Sequence, residues 1–536
     1  MSPLAVAGDS YNDRLQPEGP DRSSWNTGGM GTLDEPNIAH TAATGETLRP
    51  RTAALTAQAR HPTTAIVIGL TLLAAILRFA TLNVQSIWLD ESATIILVHR
   101  GFWGMLSHLS SSESAPPLYY MLVWAWTKVF GAGPLGFRSL SALIGTLTIP
   151  VMYLAGRRIS PRVGVWAAAL AVVNPAMYYY SQEARVYALL ILFCGAAFVL
   201  WLRALETPDR RSLALWAGVS SLAVLTHYFA AFLFLPEAFI LVRRLGWRRA
   251  GPPIGVVALV GLALAPLALA ERADGKASWI EAESLTSRLA ESIKQFTVGL
   301  YAPLEIPAGV IVAALAAGAV LLLWRRGQPR ELRVARDVAI VAVAALALPL
   351  VLAVTHLVDV FDGRNVIATW VPLAVLVAGG IGMARAGRTG PLLGAGLCAV
   401  SLAVIVATNL TPAYQRDNWR GIAKTLSTPT TSRVVIGEEF ASLPLSVYLG
   451  SFQGTSGTSV ITRELDFVAL RMKRSARSPL PPMVPTSAPS GFQLAGVHRT
   501  ESYAVSRFTA ARPTAVPLRV LRRTFGDPKA EVVIQR

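Results

Sequence analysis

Charge and cysteine are both scarce in this chain of 536 residues. Charged residues make up 15% of it and hydrophobic residues 53%, whereas an ordinary soluble protein carries about 25% charged residues. The two cysteines, Cys194 and Cys398, lie inside apolar runs, which is typical of neither a metal-binding pair nor a disulfide framework. Mean hydropathy is +0.46. This composition excludes a string of soluble domains and predicts a polytopic membrane protein.

Further absences narrow the function. The chain has no glycine-rich phosphate-binding loop, so a soluble nucleotide-sugar donor has no support. Residues 1–60 are polar and lack the apolar core of a cleaved signal peptide, and we expect them to form a disordered cytoplasmic tail. Only six of the 49 basic residues are lysine, and many arginines sit just beyond apolar runs. The net charge of +17 therefore reflects membrane topology, and no nucleic-acid partner is expected.

The apolar runs predict eleven membrane-spanning helices, since about 20 apolar residues cross a bilayer. They lie near 62–80, 137–156, 163–180, 186–204, 212–227, 228–243, 253–271, 306–324, 338–356, 366–384 and 390–408. A further run, 116–130, is about 15 residues long and contains Lys128. If this run stays at the outer surface, the arginine-rich loops all face the cytoplasm, as the positive-inside rule requires. This topology places a transmembrane domain at 61–410, with its first outer loop at 82–136.

The segment 411–536 has the composition of a soluble domain. Strand-like stretches lie at 433–437, 503–508 and 531–534, and a helical stretch follows Ser442. We therefore predict a small α/β domain on the outer side of the membrane. It carries 17 basic and 8 acidic residues, a net +9, which suits a surface close to anionic lipid.

Costly polar residues gather on the outer side in this topology. Charged groups at membrane depth are rare and usually functional. The candidates are Asp90, Glu91, Glu113 and Arg138 in or beside the first loop, Glu183, Arg185 and Tyr187 in the next outer turn, His227 and Tyr228 in the third, and Arg364 in the fifth.

Each candidate also has a purely structural interpretation. Asp90 and Glu91 would cap the helix that follows them. Glu183 and Arg185 would form an ion pair, His227 would be a hydrogen-bonded core residue, and Arg364 would anchor the chain at the interface. These interpretations are independent of one another, and together they must still explain why the costly groups share one side.

The chemistry of such a cavity follows from its residue types. A carboxylate acts as a general base toward a hydroxyl, and an arginine binds a phosphate through its planar fork. Apolar helices with a polar mouth suit a long lipid with a charged head. The combination predicts transfer from a lipid-linked phosphate donor to an acceptor on the outer side.

Seven stretches resemble the bacterial, glycosyltransferase family 39-like members of the membrane GT-C superfamily. They are SIWLDESATI (86–95), SAPPLYYMLVWAWTKVFG (114–131), FRSLSALIGTLTIPVMYLAGRRI (137–159), YYYSQEARVYALLIL (178–192), LTHYFAAFL (225–233), FDGRNVIATWVPLAVLVAGG (361–380) and DNWRGIAKTL (417–426). The fold class expected from this resemblance is an all-α GT-C membrane domain followed by the α/β domain.

The resemblance also implies site roles. Asp90 would be the catalytic base, Glu91 would assist or orient the acceptor, and Arg364 would bind the phosphate of a polyprenyl-phosphate sugar. Because they share the same side of the membrane, we also expect Arg185, His227 and Tyr228 to help to bind this donor, and Glu113, Arg138, Glu183 and Tyr187 to contact the acceptor or support the site. Some members of the superfamily use a divalent metal and others do not. Asp90, Glu91 and Glu113 are the residues that would ligate one.

The function expected is an inverting transfer of a sugar, mannose or arabinose, from polyprenyl phosphate to an envelope glycan, lipid or protein at the plasma membrane of a bacterium. Two alternatives remain open at this point. One is a transporter or flippase of a lipid-linked sugar, although transporters tend to show internal repeats and charges at the bilayer midplane. The other is a non-catalytic assembly subunit that has kept the lipid groove.

Overall fold

A computed structural model describes residues 62–275, 278–429, 431–471 and 483–536. In this part of the chain a helical bundle is followed by a mixed α/β domain. The predicted cytoplasmic tail, 1–60, lies outside the described residues.

All eleven predicted apolar runs are helical. The first six helices are α1 Pro62–Phe79, α2 Leu89–His99, α3 Phe102–Ser107, α4 Leu109–Ser112, α5 Leu118–Phe130 and α6 Pro134–Gly156. The bundle continues with α7 Pro161–Val173, α8 Pro175–Tyr180, α9 Tyr187–Glu206, α10 Arg210–Thr226, α11 Ala231–Leu245, α12 Trp247–Ala263, α13 Ala265–Ala273, α14 Ser278–Ala282, α15 Leu285–Val298, α16 Glu305–Arg326, α17 Pro329–Val354, α18 Trp370–Gly382 and α19 Thr389–Leu410.

Seven helices among the described residues are long and apolar enough to cross a membrane, which makes this a multi-pass membrane protein. They are α1, α6, α9, the continuous pair α12–α13, α16, α17 and α19. The helices α7 and α18 are apolar but shorter, and α10 and α11 have 17 and 15 residues. For these four the predicted crossing stays a prediction.

Local sequence explains where several of these helices begin. Pro134, Pro161 and Pro175 stand at the first helical positions of α6, α7 and α8, where a missing N–H costs nothing. Ser160 and Asn174 cap α7 and α8 by accepting hydrogen bonds from backbone N–H groups. The boundaries of the buried helices are thus set by capping as well as by hydropathy.

Small residues let the bundle helices approach closely. A Cβ on Gly164 of α7 would lie 2.7 Å from the Tyr153 carbonyl oxygen of α6, and one on Gly380 of α18 would lie 1.7 Å from the Ala319 carbonyl oxygen of α16. Such contacts are typical of membrane helix packing, where backbones meet at glycine. The most buried of the seven long helices is α9, which packs against α6 and α10.

The segment 82–136, predicted to be the first outer loop, is itself largely helical. The helices α2 to α5 follow one another through 89–130, and α5 packs against α6. With 13 residues α5 is about 20 Å long, short of the ~30 Å hydrocarbon core. Its length therefore agrees with the prediction that the run 116–130 does not span.

The prediction of a C-terminal α/β domain is confirmed. Its helices are α20 Trp419–Leu426, α21 Ser442–Leu449 and α22 Leu518–Phe525, and its strands are β1 Arg433–Gly437, β2 Phe452–Gly454, β3 Ser459–Leu470, β4 Gln493–Arg499, β5 Tyr503–Pro517 and β6 Glu531–Gln535. The six-stranded sheet has the order β2-β6-β1-β3-β5-β4. The pair β1–β3 is parallel and the other pairs are antiparallel.

Both faces of the sheet are covered. Because side chains alternate along a strand, Val435 packs with Trp419 and Leu445 of α20 and α21 on one face. Val434 packs with Leu521 of α22 on the other face. Helix α21 also packs against α2 of the first loop, which brings the C-terminal domain to the end of the bundle where the predicted site residues lie.

Candidate active site

The predicted site residues meet at one end of the bundle as three carboxylate–arginine pairs. Asp90 pairs with Arg364 at 2.9 Å, Glu91 with Arg138 at 2.5 Å, and Glu113 with Arg185 at 2.5 Å. The six residues come from α2, the connection after α4, α6, and the loops before α9 and α18. The convergence that the topology predicts is therefore present.

Asp90 and Arg364 form the pair that is open to solvent. Their side chains are 23% and 24% exposed. The guanidinium of Arg364 lies 3.6 Å from Asp362 and 4.4 Å from the centre of the Trp279 ring. A cation held between two carboxylates and an aromatic face is attracted by each of them. The site thus presents one accessible carboxylate and one accessible guanidinium in direct contact.

Glu91 is completely buried. Its Oε1 accepts hydrogen bonds from Arg138 Nε at 2.7 Å and from the Ala184 N–H at 3.0 Å. Its Oε2 accepts from Arg138 Nη2 at 2.5 Å and Arg416 Nη1 at 3.1 Å. Burial alone would raise the pKa of Glu91, but Arg138 and Arg416 hold it below its ordinary value. With both oxygens bonded to protein, Glu91 fixes the first turn of α2 and presents nothing to a substrate.

Arg185 ties the second outer turn to the first loop. Its Nη1 donates to Glu113 Oε2 at 2.5 Å, to Thr94 Oγ1 at 3.1 Å and to the Asp90 carbonyl oxygen at 3.2 Å. Arg185 does not form the ion pair with Glu183 that the alternative interpretation predicted. The two residues lie two positions apart in a tight turn, so their side chains point in different directions, and Arg185 pairs with Glu113. Arg185 instead supports Glu113 and the backbone of Asp90 together.

Glu183 is the carboxylate of this cluster without an arginine hydrogen-bond partner among the described residues. It is 1% exposed, its Oε1 accepts from Trp88 Nε1 at 3.0 Å, and its Oε2 has no hydrogen-bond partner in the described part of the chain. Burial raises the pKa of Glu183 to about 7, and the charges of Glu91 and Asp90 act in the same direction against Arg416 and Arg185. The group is therefore divided between its two protonation states near neutral pH.

His227 and Tyr228 lie at the turn between α10 and α11. His227 is buried, its ring centre is 6.0 Å from that of Tyr187, and its Nδ1 accepts the Phe229 N–H at 3.3 Å. With Nδ1 bonded to the backbone, the ring offers only Nε2 to a ligand. Tyr228 lies beside Glu271 of α13.

Three site residues escape the reasoning from sequence. Arg416 binds Glu91, Trp279 stacks on Arg364, and Arg288 of α15 holds Asp359 through two hydrogen bonds of 2.7 and 2.6 Å. The bond to Arg288 holds the pKa of Asp359 below its ordinary range. Arg416 directly precedes the DNWRGIAKTL stretch, and its position next to that stretch was the feature of the sequence that could have identified it.

The carboxylates do not form a metal site. In the described ranges no three side chains of His, Cys, Asp or Glu converge as ligands. Glu91, which would share an ion with Asp90 and Glu113, has both oxygens occupied by arginines and a backbone N–H. The residues present therefore do not fit a divalent ion.

One family model matches part of the chain. Residues 114–269 match the family model described as dolichyl-phosphate-mannose-protein mannosyltransferase, a segment that contains Arg138, Glu183, Arg185, Tyr187 and His227. The chain matches no curated protein sequence.

Solved structures show similarity at low sequence identity. ArnT from Cupriavidus metallidurans in the apo state is 12% identical with a TM-score of 0.52, over 83% of this chain and 98% of that one. ArnT bound to undecaprenyl phosphate is 12% identical, with a TM-score of 0.49 over the same shares. The Archaeoglobus fulgidus oligosaccharyltransferase tethered with an acceptor peptide is 10% identical, with a TM-score of 0.43 over 73% and 63%.

The apo ArnT match shows the fold, and the family match falls on the segment that carries Arg138, Arg185 and His227. Over residues 114–269 the chain is thus similar to the dolichyl-phosphate-mannose-protein mannosyltransferases, and it shares its fold with apo ArnT.

Proposed function

We propose that this protein transfers a sugar from a polyprenyl-phosphate donor to an acceptor hydroxyl, with inversion at the anomeric carbon. The observation that carries this proposal is the accessible pair of Asp90 and Arg364, 2.9 Å apart. A base for the acceptor and a cation for the donor phosphate thus stand next to each other. The family description and the undecaprenyl phosphate bound to ArnT support the donor class.

Asp90 and Arg364 have separate roles in the reaction. The acceptor oxygen attacks the anomeric carbon while the bond from that carbon to the phosphate oxygen breaks. Asp90 takes the acceptor proton, and Arg364 stabilises the charge that grows on the leaving polyprenyl phosphate. A single displacement with one base inverts the anomeric centre. Glu91, sealed between its arginines, positions Asp90 and does not contact the acceptor.

The site opens on the outer side of the membrane. Arg138 stands in the first turns of α6, and the basic loop 157–162 begins at the other end of this 23-residue helix, about 29 Å from Arg138 along the axis. Likewise Tyr187 begins α9, while Arg203 lies in its last turn. Arginine-rich loops face the cytoplasm, so the opposite end, with the site, faces outward.

The sugar is mannose or arabinose, and the acceptor is an envelope glycan, lipid or protein. The test uses purified protein with polyprenyl-phosphoryl mannose and polyprenyl-phosphoryl arabinose, with envelope extract as acceptor. Asp90→Asn, which keeps size and hydrogen bonding, should lower turnover about 10²–10⁴-fold. Glu206→Gln, at the Arg158–Glu206 ion pair far from the site, is the matched control. Native turnover in Asp90→Asn would show that another group is the base, while vesicle flux of the lipid-linked sugar without transfer would favour the transporter.

A further inference from the structure

Three side chains of the C-terminal domain hold the segment that leads into α2. We define them as the clasp: Arg416, Arg420 and Tyr448. Tyr448 Oη accepts the Ile87 N–H at 2.8 Å and lies 3.2 Å from Ser86 Oγ. Arg420 donates to the carbonyl oxygen and to Oδ1 of Asn83, both at 2.9 Å. The approach to the catalytic loop is therefore bonded to a domain that begins more than 300 residues later.

Arg416 reaches deepest of the three. Its side chain is 3% exposed, and its Nη1 bonds to Glu91 at 3.1 Å. Its guanidinium stacks on the Tyr179 ring at 4.1 Å. Its backbone N–H donates to Gln85 Oε1 at 3.1 Å. One residue thus joins the C-terminal domain, the first loop and the second outer turn.

Neutralising Glu91 does not require Arg416. Arg138 already bonds both carboxylate oxygens of Glu91, at 2.7 and 2.5 Å. A second buried arginine adds a desolvation cost that a single ion pair does not carry. A gain in stability therefore does not explain the presence of Arg416. Holding the Glu91 carboxylate in one orientation does explain it.

The start of α2 needs such fixing. The N-cap residue of this helix, Trp88, makes no side-chain capping bond, so local sequence does not determine how the first turn is oriented. Asp90 lies in that turn. The chain before it is held by Arg420 at Asn83 and by Tyr448 at Ile87, and Glu91 after it is held by Arg416.

We propose that Arg416 is a positioning residue for the transfer reaction and that the C-terminal domain is a working part of the active site. This inference rests on the proposed role of Asp90 as base. Through Glu91, Arg416 sets the position of the first turn of α2, and the rest of the clasp fixes the chain that enters it. The domain is therefore needed for turnover and not for binding the donor phosphate, because Arg364 is outside the clasp.

The test compares Arg416→Gln and Arg416→Lys in the full chain, with Arg519→Gln as the control at an exposed arginine of the same domain. A misplacement of about 1 Å costs on the order of 10²-fold in rate, so we expect Arg416→Gln to lower kcat about 10- to 100-fold. Affinity for undecaprenyl phosphate should stay within about 3-fold, because Arg364 is unchanged. Arg416→Lys should restore part of kcat, and Arg519→Gln should behave like the native protein.

A second measurement does not depend on turnover. Hydrogen exchange of residues 83–99 should become faster in Arg416→Gln, while the strands of the C-terminal sheet keep their native exchange. If Arg416→Gln fails to fold, Arg420→Gln takes its place in both measurements. Native kcat in a folded Arg416→Gln protein, or unchanged exchange at 83–99, would overturn the proposal.

The outcomes also separate this proposal from the one it rests on. If Asp90→Asn abolishes turnover and Arg416→Gln does not, only the positioning role fails. If Asp90→Asn keeps native turnover, the assignment of the base fails, and faster exchange at 83–99 in Arg416→Gln still decides whether the clasp holds the loop. If the Arg416→Gln variant unfolds at a lower temperature than the native protein and regains native kcat when it is cooled below that transition, Arg416 only stabilises the fold.

Discussion

Asp90 and the donor phosphate compete for the same guanidinium, so removing the carboxylate should tighten donor binding. In the free protein Asp90 Oδ2 lies 2.9 Å from Arg364 Nη1. An arriving phosphate replaces this contact or shares it, and it also meets the repulsion of the carboxylate. The Asp90→Asn substitution abolishes both penalties while leaving Arg364 in place.

The exposure of the pair sets the size of the effect. Since both side chains are about a quarter exposed, the ion pair is close to the surface class, which is worth about 0.2–1 kcal/mol. Removing it together with the repulsion should therefore tighten binding by about 1 kcal/mol, or roughly 5-fold. Arg364→Ala should weaken binding by about 1.5–3 kcal/mol, the value of a charged hydrogen bond.

The assay is titration of detergent-solubilised protein with undecaprenyl phosphate, at low and at high salt. The gain from Asp90→Asn should shrink at high salt, because screening weakens exposed pairs. Turnover should fall in the same variant. A misfolded protein would lose both properties, so opposite changes in affinity and turnover identify competition. Unchanged or weaker binding in a folded Asp90→Asn protein would refute the competition, and native affinity in Arg364→Ala would move the phosphate site elsewhere, with Arg185 next.

Three other outcomes are expected. Because burial raises the pKa of Glu183 from 4.5 to about 7, the folded protein holds this proton after the unfolded chain has lost it. Folding then weakens by up to about 3 kcal/mol as the pH rises from 4.5 to 7, and Glu183→Gln should raise Tm at pH 8 but not at pH 4, by thermal unfolding. Glu91→Gln leaves two buried arginines without their carboxylate and should destabilise the protein by about 3–5 kcal/mol, measured by the same method. A phosphatase reporter fused after Asn409 should be active on the outer side, and activity of a cytoplasm-only reporter there would reverse the topology.

The fold was largely predictable because its signals are local. Apolar runs of about 20 residues predict helices directly, and each of the eleven runs is helical. Strands such as Arg433–Gly437 and Glu531–Gln535 were visible as short β-branched stretches in a polar domain. The two short helices that flank the His227 turn were also predictable, since the runs 212–227 and 228–243 correspond to α10 and α11, of 17 and 15 residues.

The site was predictable as a group and not as pairs. Topology alone brings Asp90 and Arg364 to the same side, but they are 274 residues apart, and nothing in the sequence says that they touch. Glu91 looked like a second reacting group because it adjoins Asp90. Successive residues of a helix face different directions, and here one faces solvent while the other faces the interior.

The carboxylates differ in what their partners allow them to do. Glu91 and Glu113 are buried against arginines, and such pairs give fixed geometry more than reactivity. Glu183 has the pKa best matched to a neutral-pH base, but it is sealed from solvent and bonded to Trp88. Asp90 is accessible, and its arginine is the group that a donor phosphate would engage. Binding of the donor would thus draw Arg364 away from Asp90 and leave the carboxylate oxygen free to accept the acceptor proton, so the base becomes available when there is a sugar to transfer.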